Sequence, residues 1–302
     1  MLQPLSASLL EHGVFSKMHF DREGMIVATR EGVPVGFVHA GFGPNETGSA
    51  LDTSVGTTHL LMLCGGKENG SLASDLLAAS EEYLRSRGST VLYAGGIRPL
   101  NSFYLGLYGG SEIPGVLQSN HLLRDVCRER SYREIGRVNI LQCDLVRFRP
   151  RVSREMRMIK RSTELRETTD PPADNWWDAC VWGTIQRDRF ELIDLSQKGV
   201  IAAASFWDIQ PLSSSWGICT AGLFDLYVEP QLRRQGYASY LLNEAFRQLR
   251  RRGVVTIEAH TMSSNELSTA FYRSMGFCEV DHGFVYRKEP AAGNGSAVEN
   301  TC

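Results

Sequence analysis

No stretch of this 302-residue chain reaches the ~18–20 consecutive apolar residues that a membrane-spanning helix needs. The leading segment, MLQPLSASLLEHGVF, has no basic opening region and no convincing cleavage pattern, so it reads as a first helix within residues 1–20 and not as a signal peptide. Charge of one sign is also missing. Lys and Arg number 32 against 34 Asp and Glu, for a net charge of −2, which excludes bulk attraction to nucleic acid or to a membrane surface. The seven cysteines, at 64, 127, 143, 180, 219, 278 and 302, are odd in number and show no C-x2-C spacing. Zinc sites and a disulfide framework are both disfavoured; reduced thiols packed as small apolar groups, a cytoplasmic protein and no metal are expected. Neither common phosphate loop is present: there is no GxxxxGK[ST], and no GxGxxG after a strand.

What is present is the stretch Leu223–Gly253, LFDLYVEPQLRRQGYASYLLNEAFRQLRRRG. Leu223–Val228 has the aromatic and β-branched content of a strand, and Pro230 ends it. Ala238, Leu241, Leu242, Ala245, Phe246 and Leu249 fall at the spacing of one buried helical face. Gly253 follows three arginines, as a helix C-terminus prefers. The turn between strand and helix carries the chemistry. Gly236 lets a ligand approach the backbone, and the N–H groups opening the helix have no intrahelical partner. With Arg233 and Arg234 they form an anion site suited to a pyrophosphate.

The pattern V-x-P-x-x-R-x-x-G-x-A, read at Val228, Pro230, Arg233, Gly236 and Ala238, resembles motif A of the GNAT superfamily of acyl-CoA-dependent N-acetyltransferases. A second strand, Val254–Met262, then Asn265 and AFYRSMGF (Ala270–Phe277), continue the likeness, which spans roughly residues 190–288. The resemblance implies acetyl-CoA as cosubstrate, held by Leu226, Tyr227, Val228, Arg233, Arg234, Gln235, Gly236, Tyr237, Ala238, Asn265 and Tyr272. It implies a backbone N–H near Val228 at the oxyanion and Tyr272 as the acid that protonates the departing thiolate. The base stays open among Asp225 on the first strand and Glu258 and His260 on the second, the latter two sharing a face. Asn265 suits either the pantetheine arm or a helix N-cap.

The first half repeats the order of the second. Aligning Gly70 with Gly236 puts the closing glycines Gly88 and Gly253 18 and 17 residues later; Asn101 and Asn265 follow by 13 and 12, and Tyr108 and Tyr272 by seven each. A period of about 165 residues is a duplicated domain. The first copy departs at Cys64, Glu68 and Leu72, and Glu68 places negative charge in the would-be phosphate turn. The expected architecture is mixed α/β: two tandem GNAT-like domains at 1–148 and 149–288, each a twisted mixed sheet flanked by helices, then a disordered tail at 289–302. It resembles a two-domain, mycothiol-synthase-like arrangement with activity in the second domain. Arg147–Thr169 reads as a charged linker or edge strand with no nucleic-acid role. A polar loop is expected at 41–56, and a helix at 173–183 with Asp174 as its cap. The acceptor is an amine, a small molecule ahead of a protein, and the chain is a monomer or homodimer with no membrane partner. A non-catalytic acyl-CoA sensor is the rival.

Overall fold

Glu31 and Gly32 take φ of 52° and 80°, the paired left-handed conformation of a tight hairpin turn. They join β1 (Met25–Arg30) to β2 (Val33–Pro44). The structure is a computed structural model that describes residues 6–65, 70–106, 110–150, 153–209 and 217–290. β3 (Leu51–Leu63) returns against β2, pairing Gly43 with Asp52. The expected polar loop is therefore only the short link between these strands; Phe42 is buried in the first core, so the strand face continues inward past residue 41. The N-terminal helix is also shorter than expected. α1 (Ala7–Leu10) gives way to a π-helical turn, Glu11–Phe15, with only Val14 buried.

α2 (Gly70–Ser86), β4 (Val91–Ala94), β5 (Val116–Leu117), α3 (His121–Glu129) and β6 (Arg133–Asp144) complete the first half. The counterparts expected at Glu68 and Tyr108 lie outside the described residues, as does the tail from residue 291. The charged stretch read as a linker or edge strand holds a helix and an edge strand. Ser153 accepts from the Met156 N–H at 3.2 Å and caps α4 (Arg154–Ser162), whose Ile159 enters the second core. β7 (Thr163–Thr169) follows at the sheet edge, where alternating charged residues are tolerated. α5 (Trp176–Trp182) is capped by Asn175, whose side chain accepts from the Asp178 N–H at 2.9 Å, and not by Asp174. Then come β8 (Arg187–Asp194), β9 (Val200–Asp208), β10 (Thr220–Val228), α6 (Tyr237–Arg251), β11 (Thr256–Met262), α7 (Glu266–Ser274) and β12 (Cys278–Lys288).

Among the described residues, all twelve strands belong to one mixed sheet, in the order β1-β2-β3-β4-β12-β6-β11-β10-β9-β8-β7, with β5 beside β12. The closing strands cross over. β6 pairs with β11 of the second half, and β12 pairs with β4 of the first. Each half also contains one parallel pair, β3 with β4 and β10 with β11. The cores follow the exchange: Leu141 and Cys143 of β6, with Leu145 just after it, pack with α6, while Tyr286 of β12 packs with α2. Phe246 illustrates the hydrophobic payload of α6. It is 1 % exposed and touches rings from the first-half exit (Phe148), β9 (Phe206) and the β12 approach (Phe277). No disulfide joins any of the six described cysteines. No helix among the described residues is long and apolar enough to cross a membrane.

In the first half, β3 runs beyond its pairing with β4, and its unpaired end is packed by the chain's own rings. Phe103 stands 4.6 Å from His39 and 4.8 Å from His59, and the Tyr104 hydroxyl bonds His39 Nδ1 at 2.9 Å. Burial holds His19 and His39 near pKa 3, and His59 well below its ordinary value. These groups bind protons in the unfolded chain but not in the fold, so stability is full above pH ~6.5 and is lost as pH falls toward about 3. Each contributes ~1.4 kcal/mol per pH unit in that window. Thermal unfolding should show a steep fall in Tm from pH 6.5 to pH 5, and His59→Gln should flatten that slope by roughly a third. A flat profile in the wild type would contradict the buried neutral cluster.

Candidate active site

β10 and β11 are hydrogen-bonded only from Thr220↔Thr256 to Leu223↔Ala259. At that point β10 bulges: its register against β9 shifts between Leu223 and Asp225. The bulge bends the strand, and the two parallel strands part. Residues 224, 226 and 228, one side of the strand by its period of two, turn backbone groups toward the gap. The gap-side carbonyls at either end are claimed by arginines. Arg98 of the first half donates to Phe224 O, and Arg233 Nε donates to Val228 O at 3.1 Å. Arg233 thus braces the turn through its Nε as well as lending charge. Leu226 lies between them, half-buried; Asp225 and Tyr227 point outward and are exposed.

The turn itself is built from left-handed residues. Arg234 takes φ of 61° and Gly236 φ of 92°. Gly236 is the N-cap of α6 and has no side chain to satisfy the opening N–H groups. Successive donors in such a conformation form an anion-binding concavity, reinforced by the helix dipole. Gln235 Nε2 ties back to Gln231 O at 2.9 Å. Tyr237 and Ala238 are half-buried, with Tyr237 packed against the second core. Asn265 caps α7, its Oδ1 accepting from the Ser268 N–H at 3.0 Å. Its amide nitrogen makes no hydrogen bond among the described residues.

Tyr272 is 8 % exposed, packed against Phe271 and Phe277, and its hydroxyl makes no hydrogen bond among the described residues. Burial raises its pKa, and the neighbouring charges of Glu112 and Asp225 raise it further, so it keeps its proton at neutral pH. Glu258 is 1 % exposed. Its carboxylate accepts from the Ser111 N–H at 2.6 Å, the Gln142 amide at 2.8 Å and His260 Nε2 at 3.0 Å. Burial alone would raise its pKa, but these donors, His260 foremost, outweigh it and hold the carboxyl below its usual value. His260 and Glu258 do share a face, as their spacing requires. Glu258 and His260 are in direct contact, while Asp225, exposed at the bulge, reaches Tyr272 only electrostatically.

Several members of this cluster come from the first half. Gln142 sits opposite Glu258 in the β6–β11 register, a product of the strand exchange. Ser111 and Glu112 arrive on the loop before β5, and Arg98 on the loop after β4. The only sequence signal for that loop is its alignment with Asn265–Tyr272 in the duplication. Gly222 makes the approach feasible. A Cβ there would meet Trp207 Nε1 at 2.5 Å and Ser111 Cβ at 2.8 Å. Gly222→Ala should destabilise the fold by ~1–3 kcal/mol through overpacking. Gly199→Ala, where nothing lies within 4 Å, should be close to neutral. Equal unfolding midpoints for the two variants would contradict the tight Ser111–Gly222 contact. Trp177, Trp182 and Trp207 are buried where the halves meet; Trp216 is outside the described residues.

Comparison with known proteins agrees with this geometry. The acetyltransferase (GNAT) family profile matches residues 153–277. The [ribosomal protein bS18]-alanine N-acetyltransferase of Escherichia coli (strain K12) is 30 % identical over 123 residues, covering 38 % of this chain and 78 % of that protein. Its counterpart in Haemophilus ducreyi is 35 % identical over 78 residues, 26 % of this chain and 54 % of that one. Among solved structures, a tandem GNAT protein from the clavulanic acid biosynthesis pathway aligns over 95 % of this chain and 90 % of its own, with TM-score 0.64 and 13 % identity. A GCN5-related N-acetyltransferase from Sphaerobacter thermophilus aligns over 92 % and 85 %, with TM-score 0.60 and 12 % identity. These two likenesses support the fold, and the closer sequence relatives support the family. The mixed α/β fold in a tandem arrangement is the one expected from the duplicated sequence, with the two expected sheets joined as one, and the chain belongs to the GNAT family of acetyltransferases.

Proposed function

We propose that the protein transfers the acetyl group of acetyl-CoA to a primary amine by direct attack in a ternary complex. The observation that carries this reading is the parting of β10 and β11 after Leu223, with the left-handed turn at the end of β10. The residues present fit the cosubstrate. The turn Arg233–Ala238 offers backbone donors and positive charge to a pyrophosphate, and the open side of β10 from Leu226 to Val228 offers donors to the pantetheine arm and thioester. The Asn265 amide nitrogen faces no competing partner among the described residues. Tyr272, kept protonated, is the acid for the leaving thiolate. Asp225 and Glu258 supply the anionic side of the site: Glu258 orients His260 and the Ser111 loop, and Asp225 stands at the bulge without a hydrogen bond among the described residues. The first half, whose equivalent strand end is filled by Phe103, Tyr104 and histidines, serves as a wall of the acceptor cleft.

The acceptor reading is a small amine, because a first-half loop packs Ser111 closely against Gly222 and bonds Glu258. A second reading, a protein N-terminal amine, is favoured by the relatives that acetylate an alanine of a ribosomal protein. A thiol-release assay with acetyl-CoA, run against a panel of small primary amines and alanine-initiated peptides, separates the two. Turnover on small amines is expected. Turnover on peptides alone would replace the small-amine reading, and tight acetyl-CoA binding with no turnover would favour a sensor.

A further inference from the structure

The exchanged strand β6 has staggered neighbours at its C-terminal end. Against β11 it stays paired as far as Asp144↔Thr256, but against β12 the pairing stops two residues earlier, at Gln142↔Cys278. Cys143 and Asp144 therefore run past the start of β12. A cavity of about 470 Å³ occupies this notch. Its walls are the end of β6, the chain that leaves it at Arg147 to Arg149, and the turn Ser274–Gly276 that closes α7. Strand and turn face each other across it: the Cys143 thiol points at Met275 O, 3.9 Å away. Thr256, also on its wall, stands three residues, roughly 10 Å, before the point where β10 and β11 part. The cavity is thus separate from the α6 turn and from the gap, and no step of acetyl transfer uses it.

We propose that this cavity binds a small organic anion with an apolar body, and that the bound anion raises turnover. The proposal goes beyond the acetyl-transfer reading: the site stands without that reading, and only the effect on turnover rests on it. Size fits, since small-molecule sites span ~300–1,000 Å³. The apolar body is met by buried Cys143 and Met275 and by Phe148, whose ring stands edge-on to Phe246 at 5.2 Å.

Charge argues for an anion. Asp144 is the one lining carboxylate among the described residues, and it is already engaged. Its Oδ1 accepts from the Val146 N–H at 2.8 Å and the Arg147 N–H at 3.2 Å, and its Oδ2 lies 3.5 Å from Arg147 Nε. Arg149 has no carboxylate partner among the described residues. Its Nη1 donates to two neutral carbonyls, Val146 O at 3.3 Å and Phe148 O at 3.2 Å. Arg250 of α6 reaches the same segment and donates to Leu145 O at 3.5 Å. Three guanidiniums therefore meet one carboxylate here, and Arg149 keeps donors for a fork-like hold on an incoming carboxylate or phosphate. The carbonyls at the end of α7, which would repel an anion, are closed by their own turn. The Met275 and Phe277 N–H groups bond Tyr272 O at 3.0 and 3.1 Å, and the Gly276 N–H bonds Arg273 O at 3.1 Å.

Two sets of hydrogen bonds join this lining to the reaction centre. Gln142 donates to the Glu258 carboxylate at 2.8 Å. The α7 turn holds the backbone of Tyr272 through the bonds just given. An occupant that braces Gln142 and the turn favours the state in which Glu258 and Tyr272 are held in place, and a ligand shifts such an equilibrium by its differential affinity for the two states.

Octanoate, 4-phenylbutyrate and phenyl phosphate are the probes, each titrated into full-length protein saturated with acetyl-CoA so that the cosubstrate site is filled. Cys278, an exposed thiol on the cavity wall, gives a local readout, and Cys64, exposed in the first half, gives a control. At least one probe should bind with Kd below about 1 mM in calorimetry. At four times its Kd it should slow alkylation of Cys278 by N-ethylmaleimide, followed by peptide mass, about fivefold, with Cys64 unaffected. 4-Phenylbutyramide, the same body without the charge, should bind about 10-fold more weakly than 4-phenylbutyrate or worse. R149E should weaken the acids to the same degree while Tm and the Kd for acetyl-CoA stay unchanged. In steady-state acetylation a saturating probe should raise kcat about fivefold in the wild type and not in R149E. Failure of every probe to protect Cys278 overturns the site. Equal binding of acid and amide, or undiminished binding by R149E, overturns the anion assignment. A protected Cys278 with kcat unchanged or lowered overturns the activating role alone. Absence of turnover with any amine overturns the acetyl-transfer reading and the activating role with it, but not the site.

Discussion

Gly236→Glu should abolish acetyl-CoA binding while the protein stays folded. Gly236 holds φ of 92°, a conformation that costs an L-residue ~1–2 kcal/mol. Space is not the obstacle: a Cβ at this position meets only Ile159 Cδ1, at 3.7 Å. The effect comes from the carboxylate, placed where the helix N-terminus and two arginines otherwise present donors to a pyrophosphate. Micromolar affinity corresponds to about −8 kcal/mol, so a loss of ~3 kcal/mol or more moves binding out of calorimetric range. Gly236→Asn should retain much of the affinity, because Asn tolerates the left-handed region. Gly70→Glu, at the duplicated position, should leave acetyl transfer intact: Gly70 opens α2 with nothing within 4 Å of a Cβ. Wild-type acetyl-CoA affinity in folded Gly236→Glu would remove the pyrophosphate assignment. Loss of turnover in folded Gly70→Glu would show that the first half is needed in a way its filled strand end does not suggest.

Tyr272→Phe should lower kcat by about 10- to 100-fold with little change in KM for acetyl-CoA. The substitution keeps the ring against Phe271 and Phe277 and deletes only a hydroxyl that bonds nothing among the described residues. A stability change is therefore not expected, and any rate change reports chemistry. The expected size is the low end for general acid catalysis, because a thiol with pKa of about 8.5 leaves tolerably without help. An interaction made only as charge develops on sulfur affects kcat and not ground-state binding. Unchanged kcat, with the chemical step shown to limit turnover, would reduce Tyr272 to a packing residue.

The elements that the sequence made legible are those whose signal is local. The buried stripe of α6, the glycine at its N-cap and the spacing from Asn265 to Tyr272 are all set by neighbours within a few turns. The duplication was legible for the same reason: glycines at helix ends recur at matched distances. The strand exchange was not, because nothing in the alternation of β6 or β12 says which edge each will join. Register and neighbour choice are decided by long-range pairing. The charged β7 was legible only as one of two alternatives, linker or edge strand, because an edge strand needs few apolar residues; α4 was not, because only Ile159 and Met156 in a run of arginines reach the core. Glu112 carried no motif at all: it lies in a glycine- and aromatic-rich loop, and the charged groups that act on it, His260, Arg98, Glu258 and Asp225, are with one exception far away in sequence. Glu258 was legible as a carboxylate facing the site, but its three donors, two of them supplied by the first half, were not.

A single-turnover experiment tests the central reading most directly. Enzyme in excess over acetyl-CoA is mixed with a primary amine, quenched over time, and assayed together for free thiol, for acetylated amine and for the intact mass of the protein. Direct transfer across the β10–β11 gap predicts one acetyl-amine for each thiol released, release that depends on the amine, and a protein that never gains mass. Thiol released without amine, accompanied by an acetyl group on the protein, would contradict direct attack; bound acetyl-CoA that releases no thiol with any amine would contradict acetyl transfer to an amine itself.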